Sequence, residues 1–185
     1  MQVLFLKTDL SEIRIIETEE NHMTVSEIII RMIEYSEGNL HDISHFMKVH
    51  SFAKVIGECE GMDQKSLEIL EIAAVVHDIA CPLCREKYGY TNGKYQEREG
   101  AVLAEEFLRN IGLAENVIER VVYLVGHHHT FTDIDGTDHQ ILLEADYLVN
   151  AGESGYSQAN IRNTLERIYR TRTGAALLKS AYGIK

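Results

Sequence analysis

Apolar residues recur at spacings of three and four along almost the whole chain, and this helical periodicity limits the fold more than any other feature. In the segment 40–60 one stripe advances in steps of four, three and four, and it consists of His45, Val49, Phe52 and Ile56. Thr24 and Glu27 form a capping-box pattern before another such stripe. The 185 residues include one proline and 13 glycines, too few for an architecture of many strands and turns. The chain is therefore predicted to be all-α.

The periodicity predicts a single bundle of about six to seven helices, with the breaks set by capping and turn residues. The predicted helices span residues 24–36, 40–60, 63–78, 97–110, 114–128, 138–151 and 157–172. Residues 80–95 are expected to be irregular, because Pro82 interrupts a helix and Asn92-Gly93 is a turn signal. The strand-like segments Val3–Lys7 and Ile13–Ile16 suit a small N-terminal β-hairpin.

Charge and composition exclude several classes of partner. The formal net charge is −11, from 29 acidic and 18 basic residues, so nucleic acid and anionic membrane surfaces are not expected partners. No apolar run approaches a membrane span of roughly 20 residues. Residues 1–9 lack the pattern of a secretion signal, and the three cysteines suggest reduced thiols, so a cytoplasmic location is expected. A small phosphorylated substrate remains compatible, since a bound cation can invert the local charge.

Ionisable side chains interrupt the apolar stripes of four predicted helices. These side chains are His45, His77 with Asp78, His128 and Asp146. A buried carboxylate is costly unless it is paired or coordinates a metal. Imidazole nitrogens and carboxylate oxygens bind divalent transition metals, and helix bundles build such sites from facing helices. The stripes therefore predict a metal centre inside the bundle.

The order and context of these residues resemble the signature of the HD-domain metal-dependent phosphohydrolase superfamily. His45-Phe-Met-Lys-Val, the apolar run into His77-Asp78-Ile, and Glu144-Ala-Asp146 match its successive elements, over about residues 25–150. The resemblance implies an HD-type helical domain over 24–152, which leaves 1–23 as an N-terminal extension and 153–185 as a C-terminal helical segment packing on the core.

The same resemblance implies a metal set and a reaction. His45, His77, Asp78 and Asp146 would bind a divalent ion, with Fe, Mn, Zn, Mg, Ni and Co all open. The ion would activate a water molecule, oriented by the catalytic Asp78, to hydrolyse a small phosphate ester, expected to be a nucleotide, as a phosphomonoesterase or phosphodiesterase.

A second ion is an open question, because some relatives bind one through additional histidines. His127 and His128 match part of that set, but Tyr95-Gln96-Glu97 stands where another histidine is expected. Glu97 is the candidate replacement, and His127, His128 and Glu97 are also candidates for general acid or base. The remaining histidines are assigned to the surface or to the surroundings of the site; they are His22, His41, His50, His129 and His139. Cys81 and Cys84 are not given a function of their own, because a helix ending in His-Asp is the wrong setting for a redox pair.

Cations near the predicted site are candidates for binding the phosphate. Lys48 lies one turn beyond His45, and the segment 85–98 is basic in an acidic chain. The candidates for substrate binding are Lys48, Arg85, Lys87, Lys94, Gln96 and Arg98. A solvated charged loop explains the basic segment equally well.

Three other functions compete with hydrolysis. The same site could serve a sensor that binds metal and nucleotide without turnover. A di-iron oxygenase is a further alternative, against which the missing histidine counts. A purely structural bundle is the least favoured, because it does not explain the buried acids. The C-terminal amphipathic helix leaves open whether the chain forms a homodimer.

Overall fold

The computed structural model describes residues 23–185, and within them the chain folds into nine α-helices with no strand. The helices are α1 Val25–Tyr35, α2 Leu40–Cys59, α3 Gln64–Val76, α4 Cys81–Tyr88, α5 Gly93–Asn110, α6 Glu115–Val125, α7 Gly136–Glu153, α8 Gln158–Arg167 and α9 Arg172–Tyr182. The all-helical prediction is confirmed, but the expected six to seven helices were too few. The predicted hairpin of Val3–Lys7 and Ile13–Ile16 lies outside the described residues. No helix in residues 23–185 is long and apolar enough to cross a membrane.

Helix α3 is the centre of the bundle and contacts α1, α2, α6 and α7. Its second half, residues 70–76, is buried on every side, including the uninterrupted apolar run of residues 72–76. A helix that is apolar all round has to be surrounded by others, whereas a one-sided stripe suits a surface helix. This central position delivers His77 and Asp78, which directly follow α3, to the interior of the protein.

The helix starts follow the local capping chemistry of the sequence. The Thr24 hydroxyl accepts from the Glu27 amide while the Glu27 carboxylate accepts from the Thr24 amide, which completes the predicted capping box. Asn39 and Asp63 cap α2 and α3 through their side-chain oxygens. These caps fix where α2 and α3 begin, and so fix the register of the ligand-bearing stripes.

The segment expected to be irregular contains a helix. Pro82 lies in the first turn of α4, where a backbone N–H has no intrahelical partner to lose. Gly89, at φ 79°, ends α4, and Asn92 caps α5 at Gly93, four residues earlier than predicted. Pro82 therefore starts a helix here instead of merely ending one.

The predicted helix 157–172 ends earlier, at Arg167, and residues 168–171 divide it from a further helix, α9. The division is held by Glu144 of α7, a fully buried carboxylate that accepts from the amides of Arg170 and Thr171 and from the Thr171 hydroxyl. Thr171 in turn caps α9. These contacts tie the turn between the two helices to α7, which places α8 beside the predicted metal residues.

Candidate metal centre

Side chains from α2, the end of α3 and α7 converge at the middle of the bundle. His45 Nε2 lies 3.2 Å from both His77 Nε2 and Asp146 Oδ1. Asp78 Oδ2 lies 3.5 Å from His45 Nε2 and 3.7 Å from His77 Nε2. His77 Nε2 lies 3.5 Å from Asp146 Oδ1. The structure thus brings the four predicted metal residues to one point.

The outer contacts of the two imidazoles determine which nitrogen faces this point with a lone pair. His77 Nδ1 donates to the Ala74 carbonyl oxygen at 2.9 Å, and His45 Nδ1 donates to Glu153 Oε2 at 2.8 Å. In a neutral imidazole the other nitrogen then carries the lone pair. Both Nε2 atoms therefore meet two carboxylate oxygens as hydrogen-bond acceptors.

Four acceptors at this spacing fit a divalent ion. Donors held at ~2.1 Å from a central ion in a tetrahedral arrangement lie roughly 3.4 Å apart, which is the range of the separations here. His77 is fully buried, and His45 and Asp146 are nearly so. Without a cation or a proton among them, these acceptors would repel each other in a medium of low dielectric constant. The residues present therefore fit the divalent metal that the sequence predicts.

In metal-free protein a proton can partly take the place of the cation. Burial alone would lower the pKa of His45, but the hydrogen bond with Asp146 and the charge of Asp78 raise it to about 9. Burial would raise the pKa of Asp146, but its hydrogen bonds with His45 and His77 hold it below the usual range. The pKa of Asp78 is also held well below its usual range, since the three histidines around it outweigh burial. The centre therefore keeps its carboxylates ionised and attracts positive charge.

The other oxygen of Asp78 faces a second group of histidines. Asp78 Oδ1 lies 3.4 Å from His128 Nε2, and the side chain of His129 completes the group. His128 is fully buried, and its Nδ1 donates to the Val125 carbonyl at 2.7 Å. Its Nε2 has no hydrogen-bond partner within the described part of the chain. An orphaned buried nitrogen of this kind is rare and needs a ligand or a chemical role.

Gln96 spans this second side of Asp78. Its Nε2 donates to Asp78 Oδ1 at 3.0 Å and lies 3.0 Å from Cys81 Sγ, while its Oε1 accepts from His129 Nε2 at 2.7 Å. The carboxylate requires the NH₂ end of the amide, which leaves the oxygen to face His129. Gly93 lies against the His129 ring, where an added Cβ would come within 2.9 Å of it. Gln96 and Gly93 together fix the position of this imidazole.

Two residues predicted for the second group lie elsewhere. His127 stacks on Tyr123 and donates through Nδ1 to the Tyr123 carbonyl at 2.7 Å. Glu97 accepts from the His129 amide and the Thr130 hydroxyl, so it holds the turn after α6 instead of joining the acceptors. His129, which was assigned to the surface or the surroundings, lies beside Asp78 in their place. The reason is that α6 ends at Val125, three residues earlier than predicted, which changes the direction of each following side chain.

The remaining histidines have separate roles or positions. His50 is paired with Glu71 at 2.8 Å, and His139 is fully buried, donating to the His127 carbonyl. His41 is an exposed residue at the pocket wall, and His22 lies outside the described residues.

A pocket of about 720 Å³ opens over His45, Asp78 and Asp146. Its walls also include Tyr147 and Asn150 of α7, Glu153 at the end of α7, and Tyr156 beyond it. The side of the pocket formed by α8 and the residue after it consists of Asn160, Asn163, Thr164, Arg167 and Ile168. The sequence analysis did not identify this wall. Only Asn150 could have been recognised from its spacing, because it lies one turn after Asp146. It donates to Asp146 Oδ1 at 2.7 Å.

Most of the cations predicted to bind phosphate do not reach the pocket. Lys48 donates to Glu153 at 3.0 Å, and Lys87 and Arg98 both pair with Glu99. Arg85 does line the pocket, but its guanidinium is paired with Asp42. Among residues 23–185, Lys48, Lys87, Lys94 and Arg98 are absent from the pocket wall, and Gln96 is present. The basic segment is therefore largely a set of surface ion pairs.

Comparison with known proteins gives the fold a family. The model of the HD-domain family matches residues 42–151, more than half of the chain. A predicted HD superfamily hydrolase from an uncultured Thermotogales bacterium has a similar structure, with a TM-score of 0.59 and 24% identity over 86% of this chain and 83% of its own. YpgQ of Bacillus subtilis also has a TM-score of 0.59, with 19% identity over 88% of this chain and 90% of its own. No curated protein matches the chain significantly. The match over residues 42–151, with the four side chains it brings together, shows that this chain belongs to the HD-domain family.

Proposed function

We propose that the protein is a metal-dependent phosphohydrolase that acts on a small phosphate ester, a nucleotide or a molecule of similar size. One observation carries the proposal: the Nε2 atoms of two imidazoles and the oxygens of two carboxylates meet in the interior with separations of 3.2 to 3.7 Å. This arrangement attracts a cation, or a proton in its place, and it lies at the base of a pocket of about 720 Å³, a volume that suits a nucleotide-sized ligand.

Different residues around the centre have different roles in the proposed reaction. A divalent ion bound by His45, His77, Asp78 and Asp146 would polarise a phosphoryl oxygen and lower the pKa of a bound water. Asp78 orients that water, since its Oδ2 faces the metal residues and its Oδ1 faces His128. His128 Nε2 lies 3.4 Å from Asp78 Oδ1; burial lowers the pKa of His128, but this carboxylate raises it further, so the imidazole would take up the proton that the water loses.

Two further residues maintain this geometry. Glu153 accepts from His45 Nδ1 and fixes the ring so that Nε2 faces inward. Gln96 holds Asp78 and His129 through the two ends of one amide. Its hydrogen bond occupies Asp78 Oδ1, the oxygen that would have to bind a second ion. This contact favours one ion per chain and counts against the di-iron oxygenase alternative.

The test is release of phosphate by protein stripped of metal and reloaded with one ion at a time. Fe, Mn, Zn, Mg, Ni and Co should each be compared on p-nitrophenyl phosphate, bis-p-nitrophenyl phosphate and a nucleotide panel. We expect turnover with at least one ion and none after chelation. Asp78→Asn should abolish turnover, while Asp133→Asn should not, because Asp133 is exposed and asparagine tolerates its φ of 52°.

The outcomes separate the competing functions. Metal bound near one per chain with nucleotide binding but no release of phosphate would support the sensor instead. Oxygen consumption with a bound pair of irons would support the oxygenase. Failure to bind any ion would contradict the proposal at its base.

A further inference from the structure

The two ends of the pocket are formed by different parts of the chain. One end consists of the metal residues, which lie within residues 42–151 matched by the HD-domain family. The other end is formed by α8, Gln158–Arg167, which lies beyond that range. Because α8 lies beyond the residues that the family model matches, the family match assigns no role to its pocket face.

Arg167 is the distinctive residue of that face. The other cation of the pocket wall, Arg85, is paired with Asp42, and Lys48 behind the wall is paired with Glu153. Arg167 is exposed, and no carboxylate among residues 23–185 pairs with it. In a chain of net charge −11, an arginine of the pocket wall whose guanidinium pairs with no carboxylate of residues 23–185 is available for an anionic ligand.

The position of Arg167 at the end of α8 does not explain why an arginine is found there. A cation in the last turn of a helix is favourable, because it can bond the free carbonyls there. At this end, however, Arg170 does that work: its guanidinium donates to the carbonyls of Tyr169 at 2.9 Å and Arg167 at 2.5 Å. Within the described part of the chain, no side chain forms an ion pair with the guanidinium of Arg167 and holds it in place.

We infer that Arg167 binds a second anionic group of the substrate, one that is not hydrolysed. The inference rests on the proposed function and specifies its substrate class: a phosphate ester carrying two phosphates, either on one chain or at two positions of one molecule. The pocket of about 720 Å³ has room for such a molecule between the metal residues and α8. The planar guanidinium suits a phosphate, which it can bind through two parallel hydrogen bonds.

The test compares substrates that differ only in the second phosphate. Suitable pairs are adenosine monophosphate with adenosine diphosphate and adenosine 3′,5′-bisphosphate, and fructose 6-phosphate with fructose 1,6-bisphosphate. We expect Arg167→Ala to lower kcat/KM about tenfold to a hundredfold for the two-phosphate members, mainly through KM. Its effect on kcat/KM for p-nitrophenyl phosphate should be at least tenfold smaller, and circular dichroism checks that the variant is folded. Arg167→Lys should retain part of the preference.

Arg162→Ala is the matched control, because Arg162 is an exposed arginine of the same helix that does not line the pocket. Comparison of adenosine diphosphate with adenosine 3′,5′-bisphosphate shows whether the second phosphate is on the same chain or at a separate position. Equal losses for one-phosphate and two-phosphate substrates, or no loss at all, would overturn the inference.

A separate measurement keeps this inference distinct from the proposed function. If no ester is hydrolysed, the proposed function fails, but calorimetry on the metal-loaded protein can still compare pyrophosphate with orthophosphate. Arg167→Ala should then weaken pyrophosphate about tenfold more than orthophosphate. Equal weakening of both anions would overturn the assignment of Arg167.

Discussion

The two sides of Asp78 differ in one respect that governs what each can bind. On the Oδ2 side, the Nε2 atoms of two imidazoles face two carboxylates, and one amide, that of Asn150, donates to Asp146 Oδ1. On the Oδ1 side, the Gln96 amide donates one hydrogen bond and leaves His128 Nε2 as the orphan. The first side therefore attracts a cation. On the second side, the neutral Gln96 amide already donates to the carboxylate. The same carboxylate can thus face a metal centre on one side and a proton acceptor on the other.

The largest effect should come from removing the orphaned nitrogen. His128→Gln keeps a polar side chain of similar length but cannot accept a proton at neutral pH. If His128 is the general base, kcat should fall by about 10²–10⁴-fold while the metal content stays unchanged. Steady-state kinetics with elemental analysis of the same sample measures both. Loss of the metal together with activity would instead make His128 a ligand, and the two sides would then be alike.

Metal binding on the Oδ2 side of Asp78 can be weakened by a substitution that changes none of the predicted metal ligands. Glu153→Gln replaces the charged acceptor of His45 Nδ1 by a neutral one, so the ring is less basic and less firmly oriented. Metal affinity should fall about 10- to 100-fold, measured by competition with a chelator. Glu58→Gln is the control, since Glu58 is an exposed residue of the same helix as His45. An unchanged affinity would show that Glu153 serves only to hold Lys48.

The difference between the two sides of Asp78 should disappear when Gln96 is replaced by histidine. Gln96→His removes the amide donor and adds an imidazole beside Asp78, His128 and His129, so the second side would also consist of acceptors. We expect the metal content to rise from about one to about two per chain in elemental analysis. Gln96→Ala, which removes the donor without adding a ligand, should stay near one. Two ions in the unmodified protein would contradict the role assigned to Gln96.

The sequence predicted one side of Asp78 much better than the other, and helix geometry explains why. His45 and Asp146 lie inside long helices, so apolar periodicity is enough to show that they face inward. His128 and His129 follow the end of α6, where a turn replaces the regular rotation of 100° per residue. Periodicity continued through Gly126 selected His128, which does lie beside Asp78, whereas His127 was added from the family resemblance, and its ring stacks on Tyr123 instead.

The other differences between the sequence-based expectations and the structure share a cause, since they depend on contacts between distant parts of the chain. Arg85 and Lys87 suggested a phosphate-binding segment, but the carboxylates that pair with them, Asp42 and Glu99, belong to other helices. Likewise, α8 has no chemical signature of its own. It lines the pocket only because Glu144 ties the turn that follows it to α7. Local patterns could not reveal either arrangement.

The smallest expected effect is on the stability of the metal-free protein as pH changes. The folded-state pKa of His45, about 9, is above its ordinary value of 6.5, so its proton stabilises the fold fully below pH 6.5. That stabilisation is lost as pH rises through 9. Metal-free protein should therefore melt about 5 °C lower at pH 9 than at pH 6.5, as followed by circular dichroism. His45→Gln should flatten the dependence of the melting temperature on pH.

Metal-loaded protein should show no such fall, because the ion takes the place of the proton and binds more tightly as His45 deprotonates. A metal-loaded protein that destabilises in parallel with the metal-free one would mean that the ion is bound away from His45, and the two sides of Asp78 would have to be reassigned.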